Sequence, residues 1–302
     1  MKMSQQEFKH LVIQEIERIV REDPANRLDK LDQSPIYQTP LVGFVSGTDP
    51  LFARLKQVIG KFHLTPVEAI TKYAELKGIE SPKADQVGVI SYILPISQAT
   101  RDENSRMKDR PSARWAHTRL FGQEFNNKLQ THLAEFLEQQ GFIAVAPEQE
   151  KQLFRMFQDK TVGWASTWSQ RHVAYAAGLG TFGLSDGLIT AAGKAHRAGS
   201  VVVNFPLDSP PRPSDIHQYC LFYQTGGCKV CVQRCPAGAI TERGHDKNRC
   251  GEFVFSHVPY IREHYGINIY ACGLCQTGVP CEKGIPKSAE KKKRVNNDSH
   301  ST

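Results

Sequence analysis

The chain has 302 residues, 40% of them hydrophobic and 23% charged, the composition of a protein that builds a core rather than of a disordered or fibrous one. Lysine and arginine number 38 against 31 aspartates and glutamates, an excess that permits RNA binding without arguing for it. No stretch is long and apolar enough to span a bilayer. Lys9, His10, Glu15 and Glu17 interrupt the apolar pattern of the first twenty residues, which speaks against a secretory signal and for a cytoplasmic protein.

Residues 4–22 place Phe8, Leu11, Val12, Ile16, Ile19 and Val20 at helical spacing, with Ser4 and Glu7 set as a capping box and Pro24 beyond the end. Leu41 to Ser46 reads as a short strand, and Val87 to Leu94 as a second one that Pro95 terminates. A helix is expected from about Thr118 to Gln140, with Phe125, Leu129, Leu133, Phe136 and Leu137 on one side. Gly141 closes it before the apolar stretch Phe142 to Ala146. Strand, helix and strand in that order suggest an α/β layer. Arg171 to Ala177 looks helical, a glycine-rich segment follows, and Ser200 to Val203 reads as a strand. Pro206, Pro210, Pro211 and Pro213 then mark a domain boundary, because four prolines within eight residues exclude regular structure.

All eight cysteines lie beyond that boundary: Cys220, Cys228, Cys231, Cys235, Cys250, Cys272, Cys275 and Cys281. In a reducing compartment they are better metal ligands than disulfide partners. Cys228, Cys231, Cys235 and Pro236 match the end of the bacterial ferredoxin pattern, in which the cysteine before proline serves the other cluster. Crossing the ligands in that way gives one four-iron, four-sulfur cluster Cys220, Cys228, Cys231 and Cys281. The second takes Cys235, Cys250, Cys272 and Cys275. A pair of zinc sites is the competing reading, but zinc ribbons do not need a three-residue gap followed by proline.

Gly178, Gly180 and Gly183 spell GxGxxG. A dinucleotide fingerprint needs a strand before it, a helix after it and an acid about twenty residues on. Here a helix precedes it and Val203 stands in the acid's place, so a Rossmann site is disfavoured. The glycines still point to close backbone approach, and something flat or phosphate-bearing is a candidate neighbour. Trp164, Trp168 and His172, four residues apart, would share a helix face, more in keeping with core packing than with a cofactor wall. His172 and His196 read as structural histidines.

Taken together, Ala177-Gly178-Leu179-Gly180 with Gly183, the basic stretch Gly193 to Arg197, and the cysteine order through Cys235-Pro236 to Cys281 resemble the epoxyqueuosine reductases. The wider group of corrinoid iron–sulfur reductases, which includes reductive dehalogenases, shares the resemblance. It covers about residues 160–285. It implies a cobalamin held between the amino-terminal domain and the cluster domain, near Gly178, Gly180 and Gly183, and reduced through the clusters. It also implies a small redox donor of ferredoxin or flavodoxin type.

Three departures mark a divergent member with a substrate other than epoxyqueuosine. The region Gly163 to Ser166 lacks the family's proton-donating aspartate, and Asp159 is out of register. The gap from Cys220 to Cys228 is wide. No helical repeat domain follows the clusters. Tyr92, Tyr175 and His172 are candidate proton donors by residue type, although each is more often structural. No catalytic residue is assigned.

The expected fold class is α+β: an α/β corrinoid-binding-type domain over residues 1–205, a ferredoxin-like domain with two clusters over 206–286, and a basic disordered tail over 287–302. The expected function is an iron–sulfur oxidoreductase that passes electrons to cobalamin. An electron carrier or activator serving a partner enzyme is the alternative. A zinc-stabilised RNA-binding module has the run Lys291 to Arg294 as its sole support, and such a run is more commonly a solvated tail.

Overall fold

A computed structural model describes residues 3–287; the run Lys291 to Arg294 lies outside them. Helix α1 (Gln5–Glu22) starts where expected. The Ser4 side chain accepts from the Glu7 backbone N–H, and the Glu7 carboxylate accepts from the Ser4 N–H. Strand β1 (Leu41–Ser46) leads to α2 (Pro50–Ile59), α3 (Pro66–Lys77) and β2 (Gly88–Pro95). After β2 come α4 (Gln98–Ser105), α5 (Ala113–Gln139) and β3 (Ala144–Val145). A hairpin, β4 (Met156–Asp159) and β5 (Gly163–Ser166), precedes α6 (Gln170–Ala176). A second hairpin, β6 (Gly180–Phe182) and β7 (Leu188–Thr190), precedes β8 (His196–Val203).

The main sheet has the order β1-β2-β8-β3, and every pair in it is antiparallel. The strand-helix-strand reading therefore found the elements but not their direction. These strands pair without the parallel crossover that an α/β layer needs, and the body is a mixed helix and sheet fold. Every residue of β2 is buried because both faces of the sheet are covered. Ile90, Tyr92 and Leu94 join Phe8, Val12 and Ile16 of α1 and Phe125, Leu129 and Leu133 of α5 in one core. Val87 and Val89 join Phe52 and Leu55 of α2, Ile70 of α3 and Val173 of α6 in another. Strand β8 begins four residues earlier than its apolar run, because His196 and Arg197 still pair with Pro95 and Leu94.

Beyond β8 the proline-rich segment is tied down rather than free. Arg212 donates to both carboxylate oxygens of Asp49, at 2.6 and 2.9 Å, and to the Ala176 carbonyl at 3.0 Å. The cysteine region follows, with α7 (Leu221–Thr225), α8 (Val230–Gln233), the hairpin β9 (Ile240–Thr241) and β10 (Gly244–His245), α9 (Lys247–Ser256) and α10 (Val258–Tyr265). It docks on the turn between α4 and α5. Asn104 Nδ2 donates to Thr277 Oγ1 at 3.0 Å and to the Cys272 carbonyl at 3.3 Å, and Arg234 donates to the Met107 carbonyl at 3.3 Å. Gly273, at φ +72°, lies so close to the Trp115 indole that a Cβ there would stand 1.9 Å from the ring. Glycine alone tolerates both that conformation and that contact.

The Asp49–Arg212 pair gives a test. Burial alone would raise the Asp49 pKa, but Arg212, Ser209 and the Leu51 N–H more than offset it and hold the carboxyl below its usual range. Arg212→Met leaves a buried carboxylate unpaired and should cost about 2–4 kcal/mol, read as a lowered denaturant midpoint at pH 7. Because the folded pKa is depressed, the wild-type contribution is present above the ordinary aspartate range and disappears as pH falls through the folded value. Equal midpoints for variant and wild type at pH 7 would show that the pair does not anchor the segment.

Candidate metal centre

The cysteines fall into two neighbourhoods that are joined at Cys231 and Cys275. Cys220, Cys228, Cys231 and Cys281 line a single cavity, with Gly183, Leu184 and Lys194 on its inner wall. Electrostatics traces the same set: Cys281 feels the charges of Cys220 and Cys228, and Cys231 those of Cys281 and Cys220. In the other set Cys272 feels Cys275, Cys250 and Cys235, while Cys250 feels Cys275 and Cys235. Cys275 in turn feels Cys235, and the link between Cys231 and Cys275 joins the two sets.

Short elements bring this about. Cys231 lies on the single turn α8, and Cys235 falls just past its end, carried away from Cys231 toward α9 and Cys250. Leu184, Ile189 and Ile240 pack with Tyr219 and Cys220 in a small apolar core against which Cys231, Cys235, Cys275 and Cys281 rest. Among the described residues no three histidine, cysteine or acidic side chains form a group ready to hold a metal ion. The donor sets are all sulfur, which suits iron–sulfur clusters or zinc and not hard oxygen-seeking cations.

Burial is the main cause of the thiols' high pKa values. It pushes Cys231 and Cys250 up to about 11 and Cys272 to about 12, with the neighbouring sulfur charges adding to it. Cys275 and Cys281 are raised for the same reasons, against the lowering effect of Lys194.

The glycines serve the chain itself. Gly178, at φ +73°, ends α6: its N–H donates to the Tyr175 carbonyl and the next N–H, of Leu179, reaches Ala174. A Cβ on Gly180 would stand 2.3 Å from the Ile189 carbonyl oxygen across the β6–β7 hairpin. Of the three, Gly183 reaches the cysteine cavity. A helix before the segment and a hairpin within it leave no strand-turn-helix for a dinucleotide.

The proton-donor candidates by residue type are all engaged elsewhere. Tyr92 is buried and donates to Asn126 Oδ1 at 3.0 Å. Tyr175 donates to the Pro213 carbonyl at 3.3 Å. Burial, with Arg171, His63 and Lys247 nearby, lowers His172 to about 3, so it is neutral at physiological pH. His196 shares a bond of 2.9 Å with the Leu188 carbonyl and is lowered to about 4, chiefly by burial. Asp159 accepts from Thr161 and Val162 in the β4–β5 turn. Trp164, Trp168 and His172 do not form a helix stripe: Trp164 is on β5 and half-exposed, Trp168 is buried before α6, and the helix carries only His172.

A feature that residue patterns missed is a polar knot between the sheet and the cysteine region. Tyr37 Oη and Arg197 Nε are buried and face each other without completing a well-formed hydrogen bond. Arg119 donates to Tyr270 Oη at 2.5 Å, two residues before Cys272. Burial and the neighbouring Arg119 charge lower Arg197 to about 10. No periodicity could have signalled it, since the four residues lie far apart in the chain.

No family model matches the chain. Over 123 residues, 39% of the chain, it is 33% identical to the epoxyqueuosine reductase of Bacillus cereus, of which it covers 30%. Over 216 residues, 67% of the chain, it is 27% identical to the epoxyqueuosine reductase of Bacillus subtilis, of which it covers 49%. A solved epoxyqueuosine reductase with a modified tRNA stem loop is 19% identical, with a TM-score of 0.48, over 93% of this chain and 67% of that one. Both sequence matches are with epoxyqueuosine reductases, and this chain is similar to them over part of its length. It spans about half or less of the length of these curated relatives. No helix among the described residues is long and apolar enough to cross a membrane.

The thiol environments predict slow alkylation in metal-free protein. At pH 8 a thiol at about 11 is ionised in roughly one molecule in a thousand, and the thiolate is the reacting form. Iodoacetamide labelling followed by mass spectrometry should therefore find Cys231, Cys250 and Cys272 modified at least tenfold more slowly in the folded than in the denatured chain. Equal rates in the two states would contradict these environments.

Proposed function

We propose that this protein is an iron–sulfur oxidoreductase that passes electrons, one at a time, through two four-iron, four-sulfur clusters to a bound cobalamin for substrate reduction. The observation that carries the reading is the partition of the eight cysteines. Cys235 leaves its sequence neighbours Cys228 and Cys231 and joins Cys250, Cys272 and Cys275, while Cys281 crosses in the other direction. That exchange is the ligand pattern of a two-cluster ferredoxin module.

The chain's own contributions follow from the environments. Apolar Leu184, Ile189, Ile240 and Leu274 keep water from the sulfurs, which governs cluster potential along with charge and hydrogen bonds. Clusters would replace protons on the raised thiols, so their assembly releases protons and ties cofactor uptake to folding.

The polar knot of Tyr37, Arg119, Arg197 and Tyr270 is the place we propose for the corrin. Tyr37 Oη and Arg197 Nε are buried and unpartnered there, and amide side chains on a ligand would satisfy them. When bound, the corrin would supply low-valent cobalt for the reduction. The chain's part is to orient it, exclude water and bring the second cysteine set near through Tyr270. With Gly163 to Ser166 lacking an acid, a substrate other than epoxyqueuosine is proposed, its proton coming from a group outside those assigned here.

Anaerobically reconstituted protein should contain about eight iron and eight sulfide per chain. Cys235→Ala should keep the cluster of Cys220, Cys228, Cys231 and Cys281 and lose the other. Stoichiometric zinc without iron, or selective loss of the first cluster in that variant, would overturn the assignment. Cobalamin should co-elute with the protein on gel filtration and dissociate more readily from Arg197→Met. Failure to bind any corrin would leave an electron carrier for a partner enzyme.

A further inference from the structure

Lys194 is 3% exposed, and among the described residues it makes no ion pair with a carboxylate. Its backbone N–H donates to the Cys281 carbonyl at 3.0 Å. Its side chain turns inward along Gly187, and Nζ donates to Ser185 Oγ at 2.6 Å. The residue shares its cavity wall with Cys220, Cys228, Cys231 and Cys281. Ser185 is also a polar neighbour of Cys275, of the other set. One buried ammonium therefore borders the first set directly and reaches the second through a single hydroxyl.

A lysine so placed needs a source of negative charge. Burial works against its charge, and the sulfurs of Cys281, Cys275, Cys231 and Cys220, once they are cluster ligands, are the nearby negative groups that would offset it. The side chain is out of reach of solvent and has no carboxylate partner, so a purely structural cation is a poor account of it.

We propose that Lys194 is an electrostatic positioning residue shared by the two clusters, whose fixed positive charge raises both reduction potentials. This rests on the two-cluster reading above. A cluster that accepts one electron from a low-potential donor gains one negative charge, and the donor is oxidised by one electron; no bond breaks and the ammonium keeps its proton. A positive charge in the low-dielectric interior stabilises the reduced form over the oxidised one. The shared cavity makes the effect larger at the cluster of Cys220, Cys228, Cys231 and Cys281. Ser185 carries the smaller effect at Cys275, where its polar hydroxyl acts in the same direction.

The test is a dithionite titration of the reconstituted full chain, followed by electron paramagnetic resonance, for wild type, Lys194→Met, Lys194→Arg and Ser185→Ala. Lys194→Met should move both midpoint potentials to more negative values, further at the first cluster, while Lys194→Arg stays near wild type. Ser185→Ala should move the second cluster alone. Wild-type potentials in Lys194→Met would overturn the proposal. If that variant does not take up iron, Ser185→Ala decides: a negative shift at the second cluster supports the shared charge, and an unchanged potential refutes it. Wild-type protein without iron and sulfide would instead refute the two-cluster reading, a separate failure seen before any titration.

Discussion

Eight cysteines stand close together in the region after the proline-rich segment, one buried and seven partly buried, and the desolvation of their thiols is the constraint to which the surrounding structure answers. Cys231, Cys250, Cys272, Cys275 and Cys281 resist ionisation because they are buried and because their neighbours are sulfurs. Without compensation such a region would either stay protonated or open to water. Compensation comes from the body that precedes it. Lys194 emerges from the end of β7, and the segment carrying it is hydrogen-bonded to Cys281. The α4–α5 turn, through Asn104, grips the backbone at Cys272. The sheet and its helices thus do more than cover a core, since they deliver charge and hydrogen bonds to the cysteine region.

Much of this could be read from the residues. The capping box fixed the start of α1, and the eight-residue apolar run of β2 was visible because both sides of the sheet are covered. The three-residue gap and the proline after Cys235 suggest a ligand exchange between two clusters, as in the bacterial ferredoxin pattern. Local pattern reached that far because the ligand spacing is itself local.

What was not legible depends on contacts between distant segments. The direction of the strands is set by which edges meet, and alternation in β2 or β8 says nothing about that. Trp164 and Trp168 kept a helical interval by coincidence, because a hairpin ends between them. The glycines looked like a ligand cradle; their positions are instead required by the end of α6 and by a tight hairpin. The polar knot of Tyr37, Arg119, Arg197 and Tyr270 is assembled from four places in the chain and left no periodic trace.

The same distinction bears on how the chain departs from its relatives. The cysteine region is constrained by sulfur chemistry and changes little without losing its ligands. The β4–β5 hairpin has no such constraint: Asp159 closes its turn and Trp164 lies against Gly251, beside Cys250. A substitution in that hairpin would leave the packing of the cysteine sets undisturbed. The hairpin and the cysteine region are thus built on different segments and held by different forces, so that a change in one leaves the packing of the other intact.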